Sequence, residues 1–216
     1  MKRFVIALLI VGLIFNISLA KKKDKSAGTL ENGVYTDETY NFSLPISEDV
    51  WNISIKKDKD PIRLVLTKKV FDIPIAYTQD PGYTKTPKVT VFVDTTSWST
   101  QMFVDSLLND QYKSKQKKEI LQNCEILFGA FQIKRKSNFQ FGDAAGTLIS
   151  GEMQYTKQIP DIITDFYSGA VFFAKQDKTL YIFHMICEKK YFSTEFEDFS
   201  AMMNGLKLGG GKTEEN

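Results

Sequence analysis

The stretch Thr179-Leu-Tyr-Ile-Phe-His-Met-Ile-Cys187 constrains the fold more than any other part of the chain. Side chains of a strand alternate between its two faces. Leu180, Ile182, His184 and Ile186 then share one face, and Tyr181, Phe183, Met185 and Cys187 share the other. Both sets are mainly apolar, so the strand is expected to be shielded from water on both sides. A sheet of that kind needs a covering layer on each face. Ser168 to Lys175 and the turn Gln176-Asp-Lys178 read as the first arm and bend of a hairpin leading into it. One cover follows directly. Thr194-Glu-Phe-Glu197 reads as a capping box, and Phe196, Phe199 and Met203 recur at three- and four-residue spacing as a helical stripe. Asn204-Gly205 is the expected stop, with Leu206 packing back on the last turn.

Upstream, Thr39 to Ile46 alternates with Tyr40, Phe42, Leu44 and Ile46 on one face. Val50 to Lys57 gathers Trp51, Ile53 and Ile55 in the same way, as expected of one-sided strands away from a sheet centre. Arg63 to Lys68 and Val89 to Val93 are further strands. Ser97 or Ser99 is expected to cap a helix with Phe103 and Leu107 in one row and Val104, Leu108 and Tyr112 in a second. Glu125 to Lys136 reads as a strand turning at Ser137-Asn138, and Ala144 to Tyr155 as the next. Gly146 and Gly151 mark places where something packs closely. Asp72 to Lys88 and Thr156 to Phe166 read as loops. The expected organisation is a flexible linker at residues 21–32, one α+β domain at 33–208 with an antiparallel sheet between helices, and a disordered tail at 209–216.

Residues 1–20 have the layout of a secretory signal peptide: Lys2-Arg3, an apolar run from Phe4 to Phe15, and Ser18-Leu-Ala20 as a small-x-small cleavage site. Cleavage after Ala20 gives a periplasmic or secreted protein. Lys21-Lys-Lys23 and Lys25 resist translocation, so an uncleaved anchor is the alternative, and membrane association is expected only in that case. The formal charge is +2, from 28 basic and 26 acidic residues. Without Lys2 and Arg3 the two are equal at 26, which argues against nucleic acid as a partner. Cys124 and Cys187 permit one disulfide in an oxidising compartment, and two separate buried thiols equally.

The Tyr40-Asn-Phe-Ser-Leu-Pro45 segment followed by Trp51, the mid-chain helix, the Gly142 to Gly151 strand region and the closing Phe192 to Leu208 helix resemble the PsbP-like and Mog-like superfamily. That group includes the extrinsic photosystem II subunit, Mog-type Ran-binding proteins and many bacterial exported proteins. The resemblance covers most of residues 33–208. It implies an antiparallel sheet sandwiched between helices. It carries over no site residue, because the shared motifs are packing patterns.

Few residues invite chemistry. His184 is the only histidine and sits among aliphatic residues, which favours a core histidine over a catalytic one. One histidine and two distant cysteines give no zinc spacing, and Asp58-Lys-Asp60 lacks the glycine and distal glutamate of a calcium loop. No phosphate-binding glycine loop occurs, and Asp94, Asp143 and Glu152 are scattered. No cofactor is expected. Basic runs at Lys56-Lys57, Lys113 to Lys118 and Lys134-Arg-Lys136 read as solvated faces before they read as contacts for an acidic partner. Tyr77, Tyr83 and Trp98 form a candidate binding patch, with a core-packed staple as the equal reading of Trp98. The first expectation is a non-catalytic exported accessory protein that binds another protein of the cell envelope. A carrier of a small apolar ligand, with a pocket between sheet and helices beside Phe172 and Ile182, is the alternative. A hydrolase built on His184 comes third.

Overall fold

A computed structural model describes residues 25–71, 86–109, 131–157 and 163–209. The hairpin foreseen from the apolar stretch is its centre. Strands β4 (Trp51–Ile55), β5 (Ile62–Lys68), β6 (Lys88–Thr95), β7 (Phe131–Phe141), β8 (Ala144–Lys157), β9 (Ile163–Gln176) and β10 (Thr179–Glu188) make one antiparallel sheet. Their order is β4-β5-β6-β10-β9-β8-β7, so β10 is the middle strand. Phe183 stands opposite Val91 of β6 and Phe172 of β9. A second antiparallel sheet holds β1 (Thr29–Glu31), β2 (Val34–Asp37), β3 (Phe42–Pro45) and β11 (Lys207–Leu208), in the order β1-β2-β3-β11. The α-helices among the described residues are α1 (Thr100–Leu108) and α2 (Phe192–Met203).

The two faces of β10 divide the core as their alternation requires. Leu180, Ile182 and Ile186 join Phe92, Val171 and Phe173 beneath Phe103, Val104 and Leu107 of α1. Tyr181, Phe183, Met185 and Cys187 face the other way, beneath Phe199, Met202 and Met203 of α2. This second cover is wider than the helix expected there. Tyr35, Phe42 and Leu44 of the small sheet complete it, so one layer is part helix and part sheet. The strand at Phe42–Pro45 was legible in the Thr39 to Ile46 alternation; the strand at Val34–Asp37, and the separate sheet that the two join, were not.

Several boundaries move, each for a packing reason. Residues 25–32, expected as linker, are structured: Thr29–Glu31 pairs with β2, and Ala27 is buried. The Ala27 N–H donates to the Lys56 carbonyl (2.8 Å) and its own carbonyl accepts from Arg63 (3.0 Å). β7 does not turn at Ser137-Asn138. It runs to Phe141, which packs against Phe172 (4.9 Å) and Phe199 (5.9 Å), and the bend falls at Gly142 with φ +53°. β8 and β9 continue into the expected 156–166 loop as far as Lys157 and from Ile163. The Thr194 capping box is not used. A 3-10 turn at Lys189–Tyr191 runs straight into α2 at Phe192, whose ring stacks on Phe196 (5.6 Å), and no side chain caps it. At α1 the cap is Ser99, which accepts from the Met102 N–H (3.2 Å). Asn204 ends α2, and Leu206 is buried, as expected. At Gly146 a Cβ would overlap the Phe173 carbonyl, which accounts for glycine there.

Candidate functional site

An open groove of about 440 Å³ lies between the solvent side of α2 and the junction of the two sheets. Its apolar lining is Ile46, Val50, Trp51, Ala201 and Met202, and Asp198 stands on the helical wall. Short-range sequence builds each wall. Asn32 and Gly33, at φ +51° and +73°, make the tight β1–β2 turn, and the Gly33 carbonyl accepts from Ile46 N–H (2.7 Å). The Ser47 carbonyl then accepts from Val50 (3.1 Å) and Trp51 (3.0 Å), which aims Trp51 into the start of β4. The end of α2 approaches β3 so closely at Gly205 that any side chain there would strike Pro45.

An ion cluster shares Asp198 and Trp51 with the groove. The Lys68 ammonium from β5 pairs with Glu195 (3.1 Å) and Asp198 of α2, and lies 5.3 Å from the centre of the Trp51 ring. Burial acts to lower the Lys68 pKa, but the hydrogen bonds that its ammonium donates to Asp198 and Glu195 outweigh it and hold it above its ordinary value. Glu195 is buried, while Asp198 keeps 41% of its side-chain surface exposed.

A second polar cluster sits inside the fold. Arg63 is fully buried. Its Nε donates to Asp37 (2.6 Å), Nη1 to the carbonyls of Asp58 (2.6 Å) and Asp60 (2.9 Å), and Nη2 to Ala27 (3.0 Å) and the Asp58 carboxylate (3.0 Å). Tyr40 lies over the guanidinium at 4.7 Å. All five N–H donors of the guanidinium can be used in this way. The cluster is a joint between the N-terminal strands and the large sheet.

Of the described residues singled out from sequence, Asp58 and Asp60 belong to the Arg63 cluster, while Trp98, Asp94, Glu152 and the basic run at 134–136 belong to neither cluster. Trp98, 37% exposed, precedes α1, and Tyr77 and Tyr83 of the candidate patch lie outside the described residues. Asp94 pairs with Leu180 and Glu152 with Ser168, at opposite ends of the central hairpin, and Glu152 bonds Lys189 (2.9 Å). Lys136 pairs with Asp105, while Lys134 and Arg135 are exposed on the edge strand β7. Among the described residues no group of three potential metal ligands occurs. No described helix is long and apolar enough to cross a membrane.

Of the two open readings for Cys187, the structure has a free, buried thiol and no bridge; Cys124 lies outside the described residues. The strand alternation that buries Cys187 beside Met185 points it into the core, away from any exposed partner. Burial, with Glu195 and Glu188 near, pushes this thiol up to about 12. Burial, with Asp37 near, pushes Tyr181 up to about 12 as well. A folded pKa above the unfolded value leaves stability intact below the unfolded value, about 8.5 for a thiol, and removes it as pH rises towards the folded pKa. The urea midpoint is therefore expected to hold near neutral pH and fall from about pH 8.5 upward. Cys187→Ala should fall less steeply than the natural chain between about pH 8.5 and 10, before tyrosines titrate. Parallel slopes would remove Cys187 as the source.

His184 is fully buried in β10, between Thr90 and Val171 on the neighbouring strands. It stands on the face that α1 covers. His184→Gln is expected to lower unfolding free energy by about 1–3 kcal/mol through a disturbed buried polar group. Chemical denaturation measures this, and a stable variant lacking biological activity would restore a catalytic role.

The ion cluster of Lys68, Glu195 and Asp198 was missed in the sequence, because Lys68 lies 127 and 130 positions from its two partners. Arg63 gave a signal in hindsight: a cation inside Ile62-Arg-Leu-Val-Leu66 must be exposed at an edge or paired in the core.

No family model matches the chain, and no curated protein matches it. Similar solved structures include LpqN, described as involved in cell envelope biogenesis of Mycobacterium tuberculosis, at 13% identity and TM-score 0.49, covering 77% of this chain and 82% of that one. Cyanobacterial PsbP from Synechocystis is 11% identical with TM-score 0.43, over 81% of this chain and 91% of its own. The Ran-binding protein Mog1p of Saccharomyces cerevisiae is 10% identical with TM-score 0.42, over 84% and 97%.

Proposed function

We propose that the protein is a non-catalytic exported module that acts by holding another protein of the cell envelope in the groove beside α2. The observation that carries this reading is the distribution of space. Between the central sheet and its covers the volume is occupied: Phe172, Phe183, Phe141 and Phe199 are buried and in ring contact, and Ile182 is buried under α1. That weighs against the apolar-ligand carrier, which needs an enclosed pocket beside Phe172 and Ile182. The burial of His184 weighs against the hydrolase. Among the described residues, a surface groove is open to a partner, its floor formed by the edges of the otherwise buried Ile46, Trp51 and Met202. Export rests on the Lys2-Arg3, Phe4 to Phe15 and Ser18-Leu-Ala20 pattern.

Two measurements test this. N-terminal sequencing of natively expressed protein should start at Lys21, in an envelope fraction; a retained Met1 on a membrane-bound chain would favour the anchor. A photo-crosslinking residue at exposed Ala201 should capture one envelope protein in cells, whereas the same residue at exposed Asn138 on β7 should not. Equal capture from both positions, or none from Ala201, would overturn the groove as the docking surface.

A further inference from the structure

Two residues of the groove, Trp51 and Asp198, already hold one cation beside it, and the manner in which they do so identifies what a partner should bring. The ammonium of Lys68 is placed over the Trp51 ring and between two carboxylates of α2. The same Trp51 and Asp198 line the groove. Asp198 remains 41% exposed beyond its contact with Lys68. Around the mouth, exposed Glu31, Glu48 and Asp49 are chain neighbours of the lining residues Asn32, Ser47 and Val50. On the basic side, Lys68 is spent on Glu195 and Asp198, and Lys69 reaches the Glu48 carbonyl (3.3 Å). The floor is apolar and the rim is acidic.

We infer that the groove takes an extended segment of a partner protein in which an apolar side chain is flanked by Lys or Arg. This rests on the reading of the groove as a docking surface. The apolar side chain packs on Ile46, Trp51 and Met202. A flanking cation meets Asp198 and the acidic rim, repeating for a partner the contact that Lys68 makes within the chain. Like-charge contact with Glu31, Glu48 and Asp49 rejects acidic segments.

The test uses natively processed protein and three fluorescent octapeptides. They are Gly-Lys-Lys-Trp-Leu-Lys-Lys-Gly, its glutamate counterpart, and a lysine version with Ser-Gly in place of Trp-Leu. Fluorescence anisotropy should show binding of the first, and about tenfold or weaker binding of the other two, a difference of about 1.4 kcal/mol. Raising ionic strength from about 0.05 to 0.2 M should weaken the first complex, since the Debye length shortens. Ala201→Trp, a substitution at an exposed helical position that fills the groove, should remove binding with the urea midpoint unchanged. Asp198→Asn should weaken binding about threefold, in the range of one exposed ion pair, while Asp105→Asn on α1 should leave it alone. Equal or stronger binding of the glutamate peptide, or binding indifferent to both Ala201→Trp and Asp198→Asn, overturns the inference. If no peptide binds while Ala201 still captures a protein in cells, the inference falls and the docking reading stands. If Ala201 captures nothing, the docking reading itself has failed.

Discussion

Arg63→Ala is expected to lower the free energy of unfolding by about 3–5 kcal/mol, the cost of leaving a buried charge without its partner. Asp37 is as fully buried as Arg63, and its Oδ2 accepts from Arg63 Nε at 2.6 Å. The substitution strands that carboxylate and also unties the carbonyls of Ala27, Asp58 and Asp60. Tyr35 donates to the same Asp37 oxygen (3.3 Å), and Tyr181 donates to the Tyr40 carbonyl (2.6 Å), so the loss spreads through one hydrogen-bonded network. Urea denaturation of the variant gives the number. Replacing both members, as Arg63→Met with Asp37→Leu, should cost much less than the sum of the single changes, because no charge is left unpaired. A single-variant loss under about 1 kcal/mol would mean that the guanidinium is solvated in solution.

Phe183→Ala should cost about 3–5 kcal/mol, the range for removing a buried aromatic side chain. Phe183 is fully buried on the middle strand, with Phe42 of the small sheet at 6.3 Å and Phe172 of β9 at 6.5 Å. Truncation opens a hole between the two sheets that neither can close, since β10 is held by β6 and β9 along nearly its whole length. An unchanged denaturant midpoint would show that this face is not packed as described. Phe183→Leu should recover about half or more of the loss, because most of the volume is restored.

The outcomes at particular residues show where the sequence could be read. Alternation across Leu180 to Cys187 foretold both core clusters, because a strand has only two faces and its period is fixed. The stripe Phe199 and Met203 and the stop at Asn204 were legible for the same local reason. The misjudged boundaries were those where a distant contact outweighed a local signal. Ser137-Asn138 looks like a turn, yet burial of Phe141 against Phe172 and Phe199 carries the strand past it. Thr194 to Glu197 looks like a capping box, yet Glu195 is drawn to Lys68 and the helix starts three residues earlier, at Phe192.

The sequence by itself determined a two-sided central strand, hence a layered α+β domain, because burial follows from the order of apolar residues along a chain of fixed period. Only the tertiary structure decided the rest. It joined Val34 to Pro45 with Lys207-Leu208 in a second sheet, bound Ala27 to Arg63, and set Lys68 beside Trp51, Glu195 and Asp198. Each of these depends on which distant segments meet. Charge pairing across more than a hundred residues leaves no periodic trace in a sequence, since any carboxylate satisfies an ammonium equally well until the fold selects one.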